Sequence, residues 1–182
     1  MEVKKTNIKD CFEITPKIIE DKRGYFFESF NLATFETHTG IKPFFVQDNQ
    51  SFSKKGTLRG LHFQRGKHVQ AKLVSVLDGE VLDVVVDLRP DSMTFKKVVR
   101  IKLSSKNKKQ LFIPRGCAHG FVTLSDTATF FYKCDNFYHE SSETGIIYND
   151  SELNINWIFE DSDLIISTKD KTLPTLKQLI AI

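Results

Sequence analysis

The chain has little cysteine, almost no excess of either charge and no long apolar run, and each shortage removes a class of protein. Cys11, Cys117 and Cys134 are an odd number with no C-x-x-C spacing, which implies neither a disulfide framework nor a zinc cluster. Free thiols in a reducing compartment are expected. Lys and Arg number 26 against 23 Asp and Glu, so no block of one sign forms the footprint of a dedicated nucleic-acid binder. Lys106, Lys108 and Lys109 cluster only in a polar turn, which reads as a solvated loop. Apolar stretches fall far short of the roughly 20 residues that span a bilayer, and Met1-Glu2-Val3-Lys4-Lys5 lacks the apolar stretch and cleavage site of a signal peptide. No membrane partner, no nucleic-acid partner and a cytoplasmic location are the expectations. Linkers rich in Pro, Gly or Ser, internal repeats and low-complexity tracts are missing too, so residues 1–182 read as one domain.

What the chain does have is material for strands. Sixteen phenylalanines, with many Val, Ile and Thr, suit a pleated, half-buried surface. In Gly79 to Leu88, Asp83 and Asp87 share one parity while Leu82, Val84, Val86 and Leu88 hold the other, which predicts a strand with a fully apolar face. Asp78-Gly79 before it is a strong hairpin signal, so Ala71–Leu77 is expected to pair with this strand. A second hairpin is expected from Val99–Leu103 and Gln110–Ile113, joined by the polar turn Ser104–Lys109. A third joins Gly120–Leu124 to Thr127–Cys134 through Ser125-Asp126. Short, closely spaced strands without long helical blocks predict an all-β sandwich or barrel, with minor helices at Leu32–His38 and Thr175–Ile180.

A few residues stand out chemically. His62, in Leu58-Arg59-Gly60-Leu61-His62-Phe63-Gln64, places an imidazole beside a glycine and a fixed cation; its ordinary pKa of about 6.5 suits a proton acceptor, though a structural histidine would look the same. Lys72 shares a parity with Val74 and Val76. An ammonium among core-facing positions needs a partner or a task, unless that parity faces solvent and the side chain snorkels. Tyr132 reads either as a core aromatic or as a hydroxyl with a function. Arg59 and His62, three apart, would face opposite sides of a regular strand, and a bulge at Gly60 would relieve the conflict. Pro114-Arg115-Gly116-Cys117-Ala118-His119-Gly120 fits the P-x-G-x-x-H pattern of the second cupin motif, yet the chain contains no H-x-H. A complete metal-ligand set is therefore not expected, nor is any other cofactor. Cys117 has no obvious activating neighbour and reads as an inert buried thiol.

Eight segments in order carry a resemblance that spans nearly the whole chain: Asp21–Glu28, Val46–Asn49, Arg59–Gln64, Gln70–Lys72, Asp83–Arg89, Phe112–Phe121, Tyr132-Lys133 and Ser167–Asp170. Together they resemble the dTDP-4-dehydrorhamnose 3,5-epimerase family. The resemblance implies a cupin-type jelly roll and a substrate that is a dTDP-linked 4-keto-6-deoxy sugar, epimerised at C3 and C5 without a cofactor. It implies a catalytic set of His62 as base, Lys72 as stabiliser of the enolate oxygen, Tyr132 as acid on the opposite face and Asp170 as partner of the base. Arg23, Glu28, Gln47, Asp48, Asn49, Arg59, His119, Glu143 and Lys169 match substrate-binding positions, and Tyr138 matches an aromatic that packs against the nucleotide base. A homodimer is implied as well, in which Arg23 and Glu28 complete the partner's pocket. On its own residues, Lys169-Asp170-Lys171 would read as a solvated turn.

Both inverted carbons flank the C4 ketone, whose α-protons are less acidic than imidazolium by on the order of ten pKa units. A base alone cannot bridge that gap, and the site needs a cation or donor aimed at the developing oxyanion. Alternatives within the fold are an epimerase acting at one centre only, or a ketoisomerase, on a related nucleotide sugar. A metal-dependent oxygenase and a non-catalytic sugar-binding cupin are the rivals from other classes. Cys117, Tyr148 and Phe137 depart from the common family pattern and are expected to bear on pocket shape and nucleotide packing.

Overall fold

Repeated alternation of apolar and polar side chains over four to eight residues gives the chain its strands, and the computed structural model describes them over residues 1–181. Strands β1 (Glu2–Lys5), β2 (Phe12–Thr15), β3 (Ile19–Asp21) and β4 (Gly24–Phe26) precede helix α1 (Leu32–Thr39). The body consists of β5 (Gln47–Lys54), β6 (Thr57–Gln64), β7 (Lys72–Asp78), β8 (Glu80–Asp87), β9 (Val98–Ser104), β10 (Gln110–Ile113), β11 (Cys117–Thr123) and β12 (Thr127–Cys134). After these come β13 (Glu143–Gly145), β14 (Ile165–Ile166), and the short helices α2 (Thr168–Lys171) and α3 (Leu176–Ile180). No helix among the described residues is long and apolar enough to cross a membrane.

Two sheets face each other in the expected jelly roll. The first runs β1-β2-β10-β7-β12-β5 and the second β13-β6-β11-β8-β9, with β14 added parallel to β6; β3 and β4 form a separate hairpin. Strands consecutive in sequence mostly alternate between the sheets, and this overturns all three hairpins expected from the turns. β7 pairs with β10 and β12, whereas β8 pairs with β9 and β11. β9 and β10 lie in opposite sheets, as do β11 and β12. The turn residues act as expected, with Gly79 at φ 80° and Ser125 Oγ accepting the Glu80 N–H at 2.8 Å. A turn reverses the chain but does not choose a hydrogen-bonding partner. Val74 and Val76 of β7 join Val81 and Val85 of β8 in one buried cluster, each pair coming from a different sheet, so the two strands pack across the sandwich instead of pairing edge to edge.

β8 is buried on both sides. Its Val81 and Val85 enter the core between the sheets. The apolar face read from the sequence, Leu82, Val84 and Val86, points outward and is covered by Trp157, Leu176 and Leu179. Asp83 and Asp87 therefore point inward, and both are fully buried. Asp87 is satisfied completely: Oδ1 accepts from Arg89 N and Nε, while Oδ2 accepts from Arg89 Nη2, Ser92 Oγ and Thr94 Oγ1 at 2.6 to 2.8 Å. Burial raises its pKa, but these donors and the Arg89 charge outweigh that and hold it well below the ordinary carboxylate value.

A carboxylate whose pKa is depressed in the folded state contributes stability above its unfolded pKa and loses it as pH falls toward the folded value. Asp87→Ala is expected to cost about 3–5 kcal/mol at neutral pH, because it removes the bidentate partner of the Arg89 guanidinium, which keeps only Asp10 at 3.6 Å and the Lys9 carbonyl, and strands the Ser92 and Thr94 hydroxyls. Urea unfolding of wild type and variant at pH 7 and below pH 4 checks this: the gap should narrow in acid, and an unchanged gap would contradict the sign of the shift.

Candidate active site

The conflict between Arg59 and His62 is resolved by a bulge. In the β6–β11 ladder His62 faces His119 and Arg59 faces Phe121, so Gly60 and Leu61 together stand opposite Gly120 alone. Arg59 and His62 thus both face the interior, and Leu58 and Leu61 both join the outer apolar cluster. Only glycine suits position 60: its φ is 117°, and a Cβ there would lie 2.6 Å from the Gly120 Cα.

A cavity of about 610 Å³ opens between the sheets at this point. Arg59 and His62 of β6, Lys72 of β7, His119 of β11 and Tyr132 of β12 line it, with Asn49 from β5 and Lys169 and Asp170 from α2. Phe121 and Phe130, stacked at 4.2 Å, supply an apolar wall. A smaller cavity of about 210 Å³ shares Asn49, His62, Lys72 and Tyr132 with the first, and Gln47, Gln64, Tyr138 and Glu143 line its remainder.

His62 Nε2–H donates to Asp170 Oδ1 at 2.7 Å, and Asp170 Oδ2 accepts the Gly60 N–H at 3.2 Å. Burial pushes the Asp170 pKa up, but the His62 hydrogen bond and charge and the Gly60 N–H pull it below the ordinary value. Asp170 is therefore an acceptor, which assigns the proton to Nε2 and leaves the Nδ1 lone pair as the basic site. Ser167 caps α2 by accepting the Asp170 N–H at 3.1 Å. That Ser-x-x-Asp spacing was the sequence signal for a helix start here rather than a solvated turn.

Lys72 points inward with Val74 and Val76 and makes no ion pair among the described residues; its Nζ lies 5.7 Å from the centre of the Tyr132 ring. Burial lowers its pKa, opposed by the negative groups around it. The Tyr132 hydroxyl is pushed up to about 12 by burial and by neighbouring negative groups, so it holds its proton at neutral pH. His119 is buried, donates Nε2–H to Asp83 Oδ2 at 2.9 Å and stacks on Phe130. At the rim, Glu143 pairs with Lys169 and accepts from the Tyr138 hydroxyl at 3.0 Å. The Tyr138 N–H donates to Gln47 Oε1, and Gln47 Nε2 donates to Asn49 Oδ1.

Three expected binding residues lie elsewhere. Asp48 is on the opposite face of β5 from Gln47 and Asn49, and its carboxylate pairs with Lys133; period-two alternation places it outside. Arg23 sits in the exposed β3–β4 hairpin, paired with Asp21, and Glu28 accepts from Asn31. Within one chain neither reaches the cavity. Of the three departures from the family pattern, Cys117 is in the core, Tyr148 packs on the outer cluster and Phe137 is exposed, so none lines either cavity. Burial raises the Cys117 thiol pKa far above its ordinary value, as an inert thiol requires. Asp83 and Ser167 went unread as site residues. Among the described residues, no three His, Cys, Asp or Glu side chains group as metal ligands.

The chain and its fold have relatives among known proteins. The model of the family described as dTDP-4-dehydrorhamnose 3,5-epimerase matches residues 5–178. The chain belongs to that family. It is 52% identical to the dTDP-4-dehydrorhamnose 3,5-epimerase of Salmonella typhimurium over 99% of this chain and 98% of the relative. The crystal structure of the epimerase from Elizabethkingia anophelis superimposes with a TM-score of 0.95 at 54% identity, covering 98% of this chain and 97% of that one. The dTDP-6-deoxy-D-glucose-3,5-epimerase of Legionella pneumophila, solved in complex with dTDP-4-keto-L-rhamnose, gives a TM-score of 0.93 at 47% identity, with 99% and 95% coverage.

The His62–Asp170 contact fixes the tautomer and orientation of the imidazole, so Asp170→Asn should reduce kcat by about 100-fold with KM little changed. Steady-state kinetics of both proteins measure the effect, and an unchanged kcat would sever Asp170 from His62.

Proposed function

We propose that this epimerase inverts C3 and C5 of dTDP-4-dehydro-6-deoxy-D-glucose by proton transfer at the carbons beside the C4 ketone. The observation that carries the reading is the convergence on one cavity of a carboxylate-held imidazole, a half-buried ammonium with no ion pair among the described residues and a protonated phenol. His62 Nδ1 takes the α-proton, and the electron pair moves onto the C4 oxygen. The Lys72 ammonium stabilises that enolate oxygen, at a site where the apolar wall of Phe121 and Phe130 limits competing water. Tyr132 then delivers a proton to the opposite face of the carbon, which makes the exchange an inversion, and the buried phenolate recovers its proton readily because burial disfavours its charge. Repetition at the second carbon completes the product.

Arg59 and Lys169 at the mouth suit the diphosphate, guanidinium offering bidentate donors and ammonium a point charge. Tyr138, half-exposed at the rim, suits the face of the thymine. The β3–β4 hairpin exposes Ile19, Tyr25 and Phe26, at 57%, 56% and 65%. Such an apolar surface favours association, which supports a homodimer in which Arg23 and Glu28 serve the neighbouring pocket. A cytoplasmic location suits the three free thiols.

Proton NMR of the 4-keto sugar nucleotide in deuterated water tests the chemistry. Wild type should incorporate deuterium and invert at both C3 and C5, His62→Ala should abolish exchange, and Tyr132→Phe should exchange faster than it inverts. Labelling at one carbon alone would make this a single-centre enzyme. No exchange by folded wild type would sink the substrate assignment.

The shared pocket has its own test. Co-refolding inactive His62→Ala with Arg23→Ala in equal amounts should restore about a quarter of wild-type activity, since half the dimers are mixed and one pocket of each is intact. No recovery would mean that each chain completes its own site.

A further inference from the structure

Asp83 is fully buried, yet only one of its oxygens is used. Oδ2 accepts from His119 Nε2 at 2.9 Å, whereas Oδ1 has no hydrogen-bond partner among the described residues. Leaving a buried carboxylate oxygen unpaired costs on the order of 1–3 kcal/mol or more, and Asp87, two turns of the pleat away on the same face, shows that the fold can satisfy such a group fully. Asp83 lies beneath the cavity floor, on the strand next to the one that carries His119. Six titratable groups face Lys72 or lie close around it: Asp83 from β8, His62 from β6, which is paired with Asp170, His119 from β11, Tyr132 and Cys134 from β12, and Glu143 from β13. Cys134 and Tyr132 keep their protons because burial raises both, and Glu143 is already paired with Lys169. Asp83 is the carboxylate left in the interior to balance the ammonium.

We propose that Asp83 is a positioning residue with two tasks: it holds His119 as the Nε2–H tautomer, and it provides the counter-charge for Lys72. The first task makes His119 Nδ1, which has no protein partner among the described residues, an acceptor only. It then receives a hydrogen bond from a substrate hydroxyl; burial, helped by the nearby Lys72 charge, opposes protonation of the ring, against Asp83, which favours the charged form. The second task keeps Lys72 charged in a place where burial opposes charge, so that an ammonium meets the developing oxyanion. Together they separate roles among groups that crowd one floor: one imidazole as base, one as hydroxyl acceptor, one permanent cation. The hydroxyl and oxyanion parts rest on the epimerase reading above, while the tautomer of His119 does not.

Long-range ¹⁵N NMR of the full-length protein labelled in histidine reads the tautomer directly, with His119→Asn used to assign the signal. At pH 8 the neutral His119 ring should show a protonated Nε2 and an unprotonated Nδ1. An Nδ1–H tautomer would overturn the first task. In Asp83→Asn the alkaline limb of kcat should move to lower pH, because Lys72 loses a field that favours its charged form. An alkaline limb that stays in place while the melting temperature drops would reduce Asp83 to a structural residue. Should Asp83→Asn fail to fold, the wild-type spectrum still decides the tautomer. Wild type that shows the Nε2–H tautomer but no turnover would sink the epimerase reading alone.

Discussion

The outward face of the second sheet has to be buried, and the rest of the structure follows from how the chain covers it. Leu58, Leu61, Leu82, Val84, Val86 and Val122 all point away from the inter-sheet core. Each such side chain contributes about 1.5–3 kcal/mol when removed from water, so leaving the face bare would be untenable for a protein of marginal stability. The cover is the segment after β13, which lays Trp157, Leu176 and Leu179 across it. Asp150 fastens this cover, accepting the N–H groups of Glu152, Leu153 and Leu176. Between the covering residues lies α2, and on α2 lies Asp170. A packing requirement on one side of the sheet thereby delivers a carboxylate to a histidine on the other.

The bulge at Gly60 is the second half of that arrangement. Without it β6 could present either Arg59 or His62 to the cavity, but not both, and Leu58 and Leu61 could not share the outer face. The same two-for-one irregularity opens the Gly60 N–H to Asp170 Oδ2. Packing, backbone geometry and acid–base chemistry are met together by two facing glycines.

Polar groups inside the sandwich divide by how well they are satisfied. Asp87 accepts from Arg89, Ser92 and Thr94 and holds a loop together, whereas among the described residues Asp83 Oδ1 has no hydrogen-bond partner and Lys72 and Tyr132 offer their polar ends to the cavity. Incomplete satisfaction costs stability and marks the groups free to interact with a substrate. The pKa shifts of Lys72 and Tyr132 have one dominant cause, burial, which works in opposite directions on acid and base: it keeps the phenol protonated and weakens the ammonium. That opposition is why an interior counter-charge matters.

The sequence by itself determined the strand-forming stretches, the turn positions, two of the three helices and the types of residue able to move a proton. These depend on local chemistry: period-two alternation, the φ freedom of glycine, and the cost of placing Lys72 among valines. The order and content of its motifs also carried the family, because those side chains are quoted in place whatever the fold does. Tertiary structure alone decided which strands pair. Asp78-Gly79 and Ser125-Asp126 turn the chain equally well into a hairpin or across the sandwich, and only the burial of Val74 and Val76 against Val81 and Val85 selects the crossing. It also decided that Asp48 faces out while Asn49 faces in, that Asp83 lies inside rather than on a solvated edge, and that Asp170 meets His62 across 108 positions of sequence. Such choices depend on what covers each face, and a segment carries no local record of the surface that will bury it.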